Sequence, residues 1–478
     1  MHAILRTSMM LAALALLAPA LTAAAAAPDP EAAMEARAKA LLAVLPKPRP
    51  ERKAFVEQNF APELIQRRGI DELTGITADL NDDLGAAKLV GVRAGGAGLE
   101  LVLRTANDEW FELKLRFDDQ GRIAGLGLQP SEPLEQRGPQ GPVRESALGA
   151  AAKAFVDERV AKGFSGAVIV AKDGETVFAA ASGEADRTTQ RANTLDTPIN
   201  LGSMNKMFTA LVTARLVEQG KLGWDDKVGR HLPDWPQTRV RDEVTIAQLL
   251  SHTSGLKAYW GEEHDRRGPE LDTVKEYAEL CDDQVPAFTP GERFEYSNCG
   301  FVLLGLIAER VAKKDYYELV REVVYRPAGM ANSDHYDRRD ENSKRAIGYL
   351  GSGEDNFGYL AKRGAPAGGG YASANDLLRF AAALRTGKIV KPETLARMIR
   401  PHSRMGGPGS PGGYGYGFGV IAGEGESFFG HNGGAPGISA DLAMFPSGWT
   451  VIVLSNQDRG AGTIAQRLQR MVGTRTPD

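Results

Sequence analysis

Strand-like segments at both ends of the region 144–478 constrain the fold of this chain more than any other feature. Residues 166–183 alternate around an Asp-Gly pair at 173–174, which is typical of a type I′ hairpin. Residues 431–457 give further strands around a Pro-Ser-Gly turn at 446–448, and helical stretches separate the two segments. We therefore predict an α/β (α+β) fold in which an antiparallel sheet, assembled from both ends of the domain, is flanked by helices and bears a helical insertion. A ligand is expected in the cleft between the sheet and the insertion.

A smaller unit precedes this domain. The chain has 478 residues, which exceeds the size at which a single hydrophobic core stops growing. Helical periodicity between about residues 30 and 73 is followed by the alternating segments 99–105, 110–117 and 122–128, which predict an antiparallel meander. The boundaries that we predict are 28–130 for a small α+β accessory domain, 131–143 for a linker bearing Pro and Gly, and 144–478 for the main domain.

Residues 1–27 are typical of a secretory signal peptide. A short first region containing Arg6 precedes an apolar stretch from Met9 to about Leu17, and small alanines follow where a signal peptidase could cut. Because Pro19 and the weakly apolar alanines do not suit a membrane-spanning helix, we expect no transmembrane anchor. This interpretation predicts a periplasmic or secreted protein.

Charge, cysteines and histidines narrow the range of functions. With 57 basic and 61 acidic residues, the formal net charge of −4 gives no reason to expect a nucleic-acid partner. Cys281 and Cys299 either form a disulfide in an exported protein or remain small buried side chains, and the sequence leaves both possibilities open. These cysteines and the seven scattered histidines lack the spacing of a metal site, and we expect neither a metal nor another cofactor.

Two Ser-x-x-Lys patterns compete for the role of nucleophile. Ser203 and Lys206 open an apolar helix, which puts both side chains on one face and directs the helix N-terminus at the serine. Ser254 and Lys257 follow a helical run and enter irregular sequence, where the lysine has no helical register toward its serine. We therefore assign the nucleophile to Ser203 and expect residues 251–256 to end a helix and brace the fold.

Further motifs accompany Ser203 and Lys206 in the same domain. They are Tyr296-Ser297-Asn298 before an apolar helix, His431-Asn432-Gly433-Gly434 at the start of strand-like sequence, and the segments 249–256, 288–307, 326–333 and 366–384. In this order they resemble the serine hydrolases related to class C β-lactamases, low-molecular-weight penicillin-binding proteins and the esterases that share their fold. The resemblance covers roughly residues 145–460 and implies the β-lactamase/transpeptidase-like fold.

The resemblance implies an acyl-enzyme on Ser203. A serine hydroxyl needs a base to become a nucleophile, and either Lys206 or Tyr296 fits that role; the sequence leaves the choice open. A lysine can serve only if burial or a neighbouring positive charge, such as a protonated His431, favours its neutral amine. Asn298 is expected to orient Lys206 and the substrate.

The resemblance also implies an oxyanion hole made by the backbone N–H groups of Ser203 and Gly434. Glycine at 433 suits a backbone that a substrate approaches closely. Many relatives have Ser or Thr at the position of Asn432, where a hydroxyl helps to hold a substrate carboxylate, and many β-lactamases have Lys at the position of His431. These two differences favour an ester or a small peptide over a penicillin as substrate.

We therefore expect an exported serine hydrolase that acts on a small-molecule ester or peptide, with cell-wall peptides among the candidates. The alternatives within this class are a D-alanyl carboxypeptidase or D-aminopeptidase and a β-lactamase. An alternative of another class is a non-catalytic sensor or binding protein that keeps the pocket. The sequence does not specify the oligomeric state.

Overall fold

The structure is a computed structural model, and it describes residues 30–95, 98–105, 110–131, 142–340, 344–405, 412–423, 425–458 and 460–478. The predicted signal peptide and the predicted linker residues 132–141 lie outside the described residues. The described residues divide into two units, with the boundary after Ser131. Within these ranges, no helix combines the length and the apolar character that crossing a membrane requires.

The first unit packs helices against an antiparallel meander. Its elements are α1 (Pro30–Val44), α2 (Arg49–Asn59), α3 (Pro62–Arg68), α4 (Ile70–Leu84), β1 (Lys88–Gly95), β2 (Gly98–Arg104), β3 (Trp110–Phe117) and β4 (Ile123–Ser131). The strands pair in sequence order, and one face of the sheet buries Leu101 and Leu113 in a core shared with the helices. The sequence predicted β2, β3 and β4 but missed β1, because a bulge between Leu89 and Gly91 breaks its alternation.

The second unit holds the remaining elements. Its helices are α5 (Leu148–Ala161), α6 (Lys206–Glu218), α7 (Val228–His231), α8 (Thr238–Glu243), α9 (Ile246–Leu250), α10 (Glu262–Arg267), α11 (Val274–Glu279), α12 (Asn298–Ala312), α13 (Tyr316–Val320), α14 (Arg326–Ala328), α15 (Ala374–Arg385), α16 (Pro392–Met398) and α17 (Gly462–Gly473). Its strands are β5 (Gly166–Lys172), β6 (Glu175–Ser182), β7 (Glu184–Asp186), β8 (Arg191–Ala192), β9 (Ile199–Asn200), β10 (Tyr371–Ala372), β11 (Ser403–Arg404), β12 (Gly412–Tyr414), β13 (Gly419–Ile421), β14 (Phe428–Ala435), β15 (Ile438–Met444) and β16 (Trp449–Ser455).

The main sheet joins the two ends of this unit, as the sequence predicts. Its strand order among the described residues is β11-β12-β13-β14-β15-β16-β5-β6, and β16 pairs antiparallel with β5, with Ser455 opposite Gly166. The turn between β5 and β6 has positive φ at both Asp173 (52°) and Gly174 (89°), which is the requirement of a type I′ turn. The predicted fold class is therefore confirmed.

Helices cover both faces of the main sheet. Ile169 and Ile452 face the larger core, which also contains Phe208 of α6, Phe301 of α12 and Phe380 of α15. Alternate residues of the same strands point to a second core that α5 and α17 cover. Helices α6 and α12, which begin at Lys206 and Asn298, both belong to the larger core. The candidate site therefore lies on the face of the sheet that this core covers.

A disulfide joins Cys281, which follows α11, to Cys299 in the first turn of α12. The two Cα atoms lie 5.7 Å apart, within the range that a disulfide needs. Of the two possibilities that the sequence left open, the structure contains the disulfide. The bond anchors the start of α12 beside Asn298.

Candidate active site

Ser203 lies in a 3₁₀ turn, Gly202–Asn205, that runs directly into α6. The sequence predicted the first turn of an α-helix, and the turn is tighter because Gly202, at a φ of 49°, bends the chain against β14. A Cβ atom on Gly202 would lie 2.7 Å from the main-chain nitrogen of Gly434, a distance that only glycine permits. Ser203 therefore sits between the start of α6 and the edge of the sheet.

Lys206 is the first residue of α6 and is completely buried. Its Nζ atom lies 3.2 Å from Ser203 Oγ, 2.8 Å from Asn298 Oδ1 and 2.6 Å from the carbonyl oxygen of Ala367. Burial lowers the pKa of Lys206 well below its ordinary value. The side chain is therefore biased toward the neutral amine, the form that can accept a proton.

The partners of Lys206 fix the direction of its lone pair. The oxygens of the Asn298 side chain and of the Ala367 main chain can only accept hydrogen bonds. A neutral amine has two N–H groups, and each donates to one of these oxygens. Its lone pair then points to the third partner. That partner is the hydroxyl of Ser203, whose proton the amine is placed to receive.

Tyr296 reaches the same point from the segment that precedes α12. Its hydroxyl is hydrogen-bonded to the side chain of Ser203, and Lys206 Nζ lies 4.7 Å from the centroid of its ring. Although 37% of the residue is exposed, burial of the hydroxyl end raises the pKa of Tyr296 above its ordinary value. The phenol is therefore neutral at pH 7 and can pass a proton on without carrying a lasting negative charge.

Asn298 is the first residue of α12, and its position depends on a helix cap. Ser297 precedes the helix and accepts a hydrogen bond from the N–H of Gly300 at 2.9 Å. This cap fixes where the helix starts and places the Asn298 side chain, which is buried, beside Lys206. The expected orienting contact between Asn298 and Lys206 is present in the structure.

His431 lies buried on β14 and makes a hydrogen bond through each ring nitrogen. Nδ1 lies 2.5 Å from the carbonyl oxygen of Asn432, and Nε2 lies 2.9 Å from the hydroxyl of Tyr414. Since a carbonyl can only accept, Nδ1 carries the proton and Tyr414 donates to Nε2. Burial, and then the positive charge that Lys206 carries when it is protonated, lower the pKa of His431 to about 4. At this pKa the imidazole is neutral at pH 7, so that burial, the first of the two expected causes, is the one that favours the neutral form of Lys206.

The glycines of β14 pack against the turn that carries Ser203. A Cβ atom on Gly433 would lie 1.9 Å from the carbonyl oxygen of Leu201 and 3.0 Å from the main-chain nitrogen of Ser203. The two backbones that carry the expected oxyanion donors, Ser203 and Gly434, therefore touch. On its other side β14 pairs with β13 only from Phe428 to Gly430, as far as the described residues extend, which leaves the following part of the strand as an open edge.

Asn432 and His431 are adjacent on β14 but point to opposite faces of the sheet. It stands opposite Asp441 of β15, whereas His431 stands opposite Leu442. Because successive side chains of a strand leave on opposite faces, the exposed Asn432 points away from the face of His431 and Gly433. A contact between Asn432 and a substrate stays a prediction.

Comparison with known proteins places this arrangement in a family. The family model described as Beta-lactamase matches residues 152–473, more than half of the chain. The chain belongs to the Beta-lactamase family. Esterase EstB of Burkholderia gladioli is 31% identical over 53% of this chain and 74% of its own length.

Solved structures support the same assignment. A penicillin binding protein from Bacillus halodurans matches with a TM-score of 0.61 at 28% identity, over 66% of this chain and 98% of that one. A D-stereospecific amidohydrolase from Streptomyces sp. matches with a TM-score of 0.57 at 25% identity, over 67% and 97%. The family expected from the motifs is confirmed, and the Beta-lactamase fold of serine hydrolases is shared with penicillin-binding proteins, an esterase and amidohydrolases.

The second Ser-x-x-Lys pattern has a structural role in this Beta-lactamase family member. Ser254 is completely buried, and its Oγ accepts a hydrogen bond from the N–H of Leu256 at 3.2 Å. The carbonyl oxygen of Lys257 accepts hydrogen bonds from Ser297 Oγ and from the N–H of Cys299. The segment ends α9, as the sequence predicts, and it braces the chain around Tyr296, which the sequence did not specify.

Two contributors to this Beta-lactamase family site escaped the sequence analysis. Ala367 acts through its main-chain carbonyl, which every residue type possesses, and no side-chain signal marks it. Tyr414 lies in β12 among glycines and aromatics that are typical of a strand, and only the fold reveals that it reaches His431. Among the residues that the structure describes, no cluster of three or more His, Cys, Asp or Glu side chains is arranged to bind a metal.

Proposed function

We propose that this chain is a serine hydrolase that forms an acyl-enzyme on Ser203 and cleaves uncharged esters or amides. The observation that carries the proposal is the buried Lys206 amine, which has acceptors for its two protons and a lone pair directed at Ser203. The names of the related esterase and amidohydrolase support hydrolysis of an ester or amide bond.

In the first step, Ser203 Oγ bonds to the substrate carbonyl carbon and its proton moves to Lys206 Nζ. The carbonyl oxygen becomes an oxyanion, which the N–H groups of Ser203 and Gly434 stabilise. One such donor typically contributes about 100- to 1,000-fold in rate.

In the second step, the bond from the carbonyl carbon to the leaving oxygen or nitrogen breaks. The proton returns from Lys206 through the Tyr296 hydroxyl to the leaving group, which departs as an alcohol or amine. Water then attacks the acyl carbon and passes a proton through Tyr296 to Lys206. The bond from the acyl carbon to Ser203 Oγ breaks, Lys206 returns the proton to Oγ, and the acid is released.

Lys206, rather than Tyr296, is the base in this proposal. Burial lowers the pKa of Lys206 and raises the pKa of Tyr296, so the same environment favours a neutral amine and disfavours a phenolate. The neutral amine of Lys206, which has a free lone pair, is therefore the base of the first step.

We infer the preferred substrate class from the neutral imidazole of His431. Both of its nitrogens are engaged within the protein, and its pKa of about 4 leaves no positive charge at pH 7 to pair with a carboxylate. Penicillins and D-alanyl peptides carry a carboxylate near the scissile bond, whereas simple esters do not. We therefore place esters first, small amides second and β-lactams third.

A substrate panel tests this order. We expect the wild type to release p-nitrophenol from short-chain p-nitrophenyl esters much faster than it hydrolyses a D-alanyl dipeptide or a chromogenic cephalosporin. Ser203→Ala should abolish turnover, whereas the matched control Ser254→Ala, at the competing Ser-x-x-Lys pattern, should retain it. Equal loss in both variants would contradict the assignment of the nucleophile.

A fluorophosphonate probe separates the enzyme from a binding protein that keeps the pocket. The enzyme should be labelled rapidly at Ser203 and should also turn over esters. Stable acylation by a fluorescent penicillin without product release would instead favour the sensor. We also propose export by way of residues 1–27; N-terminal sequencing of protein recovered from the periplasm would test this, and an intact leader there would refute it.

A further inference from the structure

We propose that His252 is a positioning residue for Tyr296, an inference that rests on the proposed serine-hydrolase function. His252 follows α9 within the segment 251–256, which the sequence marks only as a brace. Its main-chain carbonyl and its imidazole hold the two peptide N–H groups on either side of Tyr296. These contacts set the position from which the phenol meets Ser203.

The contacts bracket Tyr296 on both sides. The carbonyl oxygen of His252 accepts a hydrogen bond from the N–H of Glu295 at 2.8 Å. Nδ1 of the same residue accepts one from the N–H of Ser297 at 3.0 Å. The imidazole also lies against the Tyr296 ring, with ring centroids 4.3 Å apart and planes 35° apart. Each contact restrains a different part of the segment: the preceding peptide, the following peptide and the phenol ring.

The backbone of His252 adopts a conformation that few residue types tolerate. Its φ is 57°, a conformation that is uncommon outside glycine but is tolerated by Asn, Asp and His. Glycine would relieve the strain but would offer no acceptor to Ser297. A positive φ at a residue whose side chain brackets a catalytic group is strain stored beside an active site.

The side chain is also an inefficient choice for filling space alone. His252 is completely buried, and among the described residues its Nε2 has no hydrogen-bond partner. A purely apolar side chain would fill the same volume without an unsatisfied nitrogen. The imidazole is therefore explained by what Nδ1 does, which is to accept from Ser297.

A cluster of rings fixes the plane of the imidazole. The rings of Phe294, Phe301 and Tyr414 lie 5.6, 5.1 and 4.5 Å from it, measured between centroids. A ring enclosed in this way cannot rotate freely, and its Nδ1 stays directed at Ser297. The same cluster includes Tyr414, which donates a hydrogen bond to His431. It therefore supports both the Tyr296 motif and the His431 motif.

Two amide variants separate the acceptor from the ring. His252→Asn keeps an acceptor at the δ position, whereas His252→Gln moves it one bond farther along the side chain. For p-nitrophenyl acetate we expect kcat to fall about 10- to 100-fold in His252→Gln and less than about tenfold in His252→Asn, since small misplacements of a catalytic group have effects of this size. KM should change less than about twofold in either variant, because the substrate does not touch His252.

A double-mutant cycle shows whether His252 acts through Tyr296. In the Tyr296→Phe background the hydroxyl to be positioned is gone, and the two amide variants should then differ in kcat by less than about twofold. A merely structural role would produce the same ratio in both backgrounds. Thermal unfolding of each variant confirms that the compared proteins are folded at the assay temperature.

The inference is overturned if His252→Gln and His252→Asn have equal kcat, or if their ratio persists in the Tyr296→Phe background. If His252→Gln does not fold, His252→Asn carries the test alone, and a loss of kcat above about tenfold overturns the inference. Failure of the proposed function has a different signature, since the wild type itself would then neither hydrolyse esters nor be labelled at Ser203.

Discussion

The sharpest test of the proposed chemistry is the substitution Asn298→Asp. It keeps the size and shape of the side chain and replaces the amide beside Lys206 with a carboxylate. At the 2.8 Å between Lys206 Nζ and the Asn298 oxygen, a full negative charge would stabilise the ammonium by about 6 kcal/mol at an effective dielectric constant of about 20. This energy would raise the pKa of Lys206 by roughly four.

The sign of the effect on activity follows directly. The base is active when neutral, and burial lowers its pKa in the wild type. Raising that pKa moves the acid limb of the kcat/KM profile to higher pH, because a larger fraction of Lys206 is then protonated at any given pH. At pH 7 we expect a loss of about 1,000- to 10,000-fold, with recovery as the pH rises.

The assay is p-nitrophenyl acetate hydrolysis from pH 5 to 10, corrected for the spontaneous reaction. Asn298→Ala is the matched control, because it removes the orienting oxygen without adding charge. It should lower the rate but leave the acid limb at or below its wild-type position. If the acid limb of Asn298→Asp coincides with that of the wild type, Lys206 is not the base.

Three further perturbations test other parts of the structure. Reduction of the Cys281–Cys299 disulfide, which closes a loop with a sequence separation of 18, should lower the free energy of unfolding by about 3 kcal/mol in urea titrations; equal stability of the two redox forms would contradict this. Gly433→Ala should keep the fold but lower kcat at least about 100-fold, because the added Cβ pushes β14, with the N–H of Gly434, away from the N–H of Ser203. A wild-type rate would show that β14 accommodates the added Cβ without disturbing these donors. The free energy of unfolding should fall as the pH falls from 7 to 5, because His335 takes up a proton there in the unfolded chain but not in the folded protein, where burial lowers its pKa to about 3. His335→Gln should reduce that fall by about 2 kcal/mol. An unchanged fall would refute the assignment.

The sequence predicts the main sheet well because its signals are local. The Asp-Gly turn at 173–174 and the turn at 446–448 specify two hairpins without reference to the rest of the chain. The pairing of β16 with β5 follows because both hairpins must share one sheet. The strand β1 was missed because its bulge removes the alternation on which such predictions depend.

The site itself was only partly accessible to sequence reasoning. Ser203, Lys206 and the Tyr296 motif are side chains in fixed spacings, and motif analysis can find them. The charge state of His431 was not accessible, because it depends first on burial, which only the fold determines. The carbonyl of Ala367, 161 residues from Lys206, has no side chain to recognise.

The segment 296–299 contributes several parts of the candidate site. It carries the phenol, the helix cap, the orienting amide and one half of a disulfide on consecutive residues. The carbonyl oxygen and the imidazole of His252, together with the carbonyl oxygen of Lys257, accept hydrogen bonds from this part of the chain. His252 holds the peptides on either side of Tyr296, whereas the Ser297 cap, the disulfide and the carbonyl oxygen of Lys257 hold the start of the helix that carries Asn298. Substitutions of His252 should therefore lower kcat through proton transfer by the phenol, while the contact between Lys206 and Asn298 is kept.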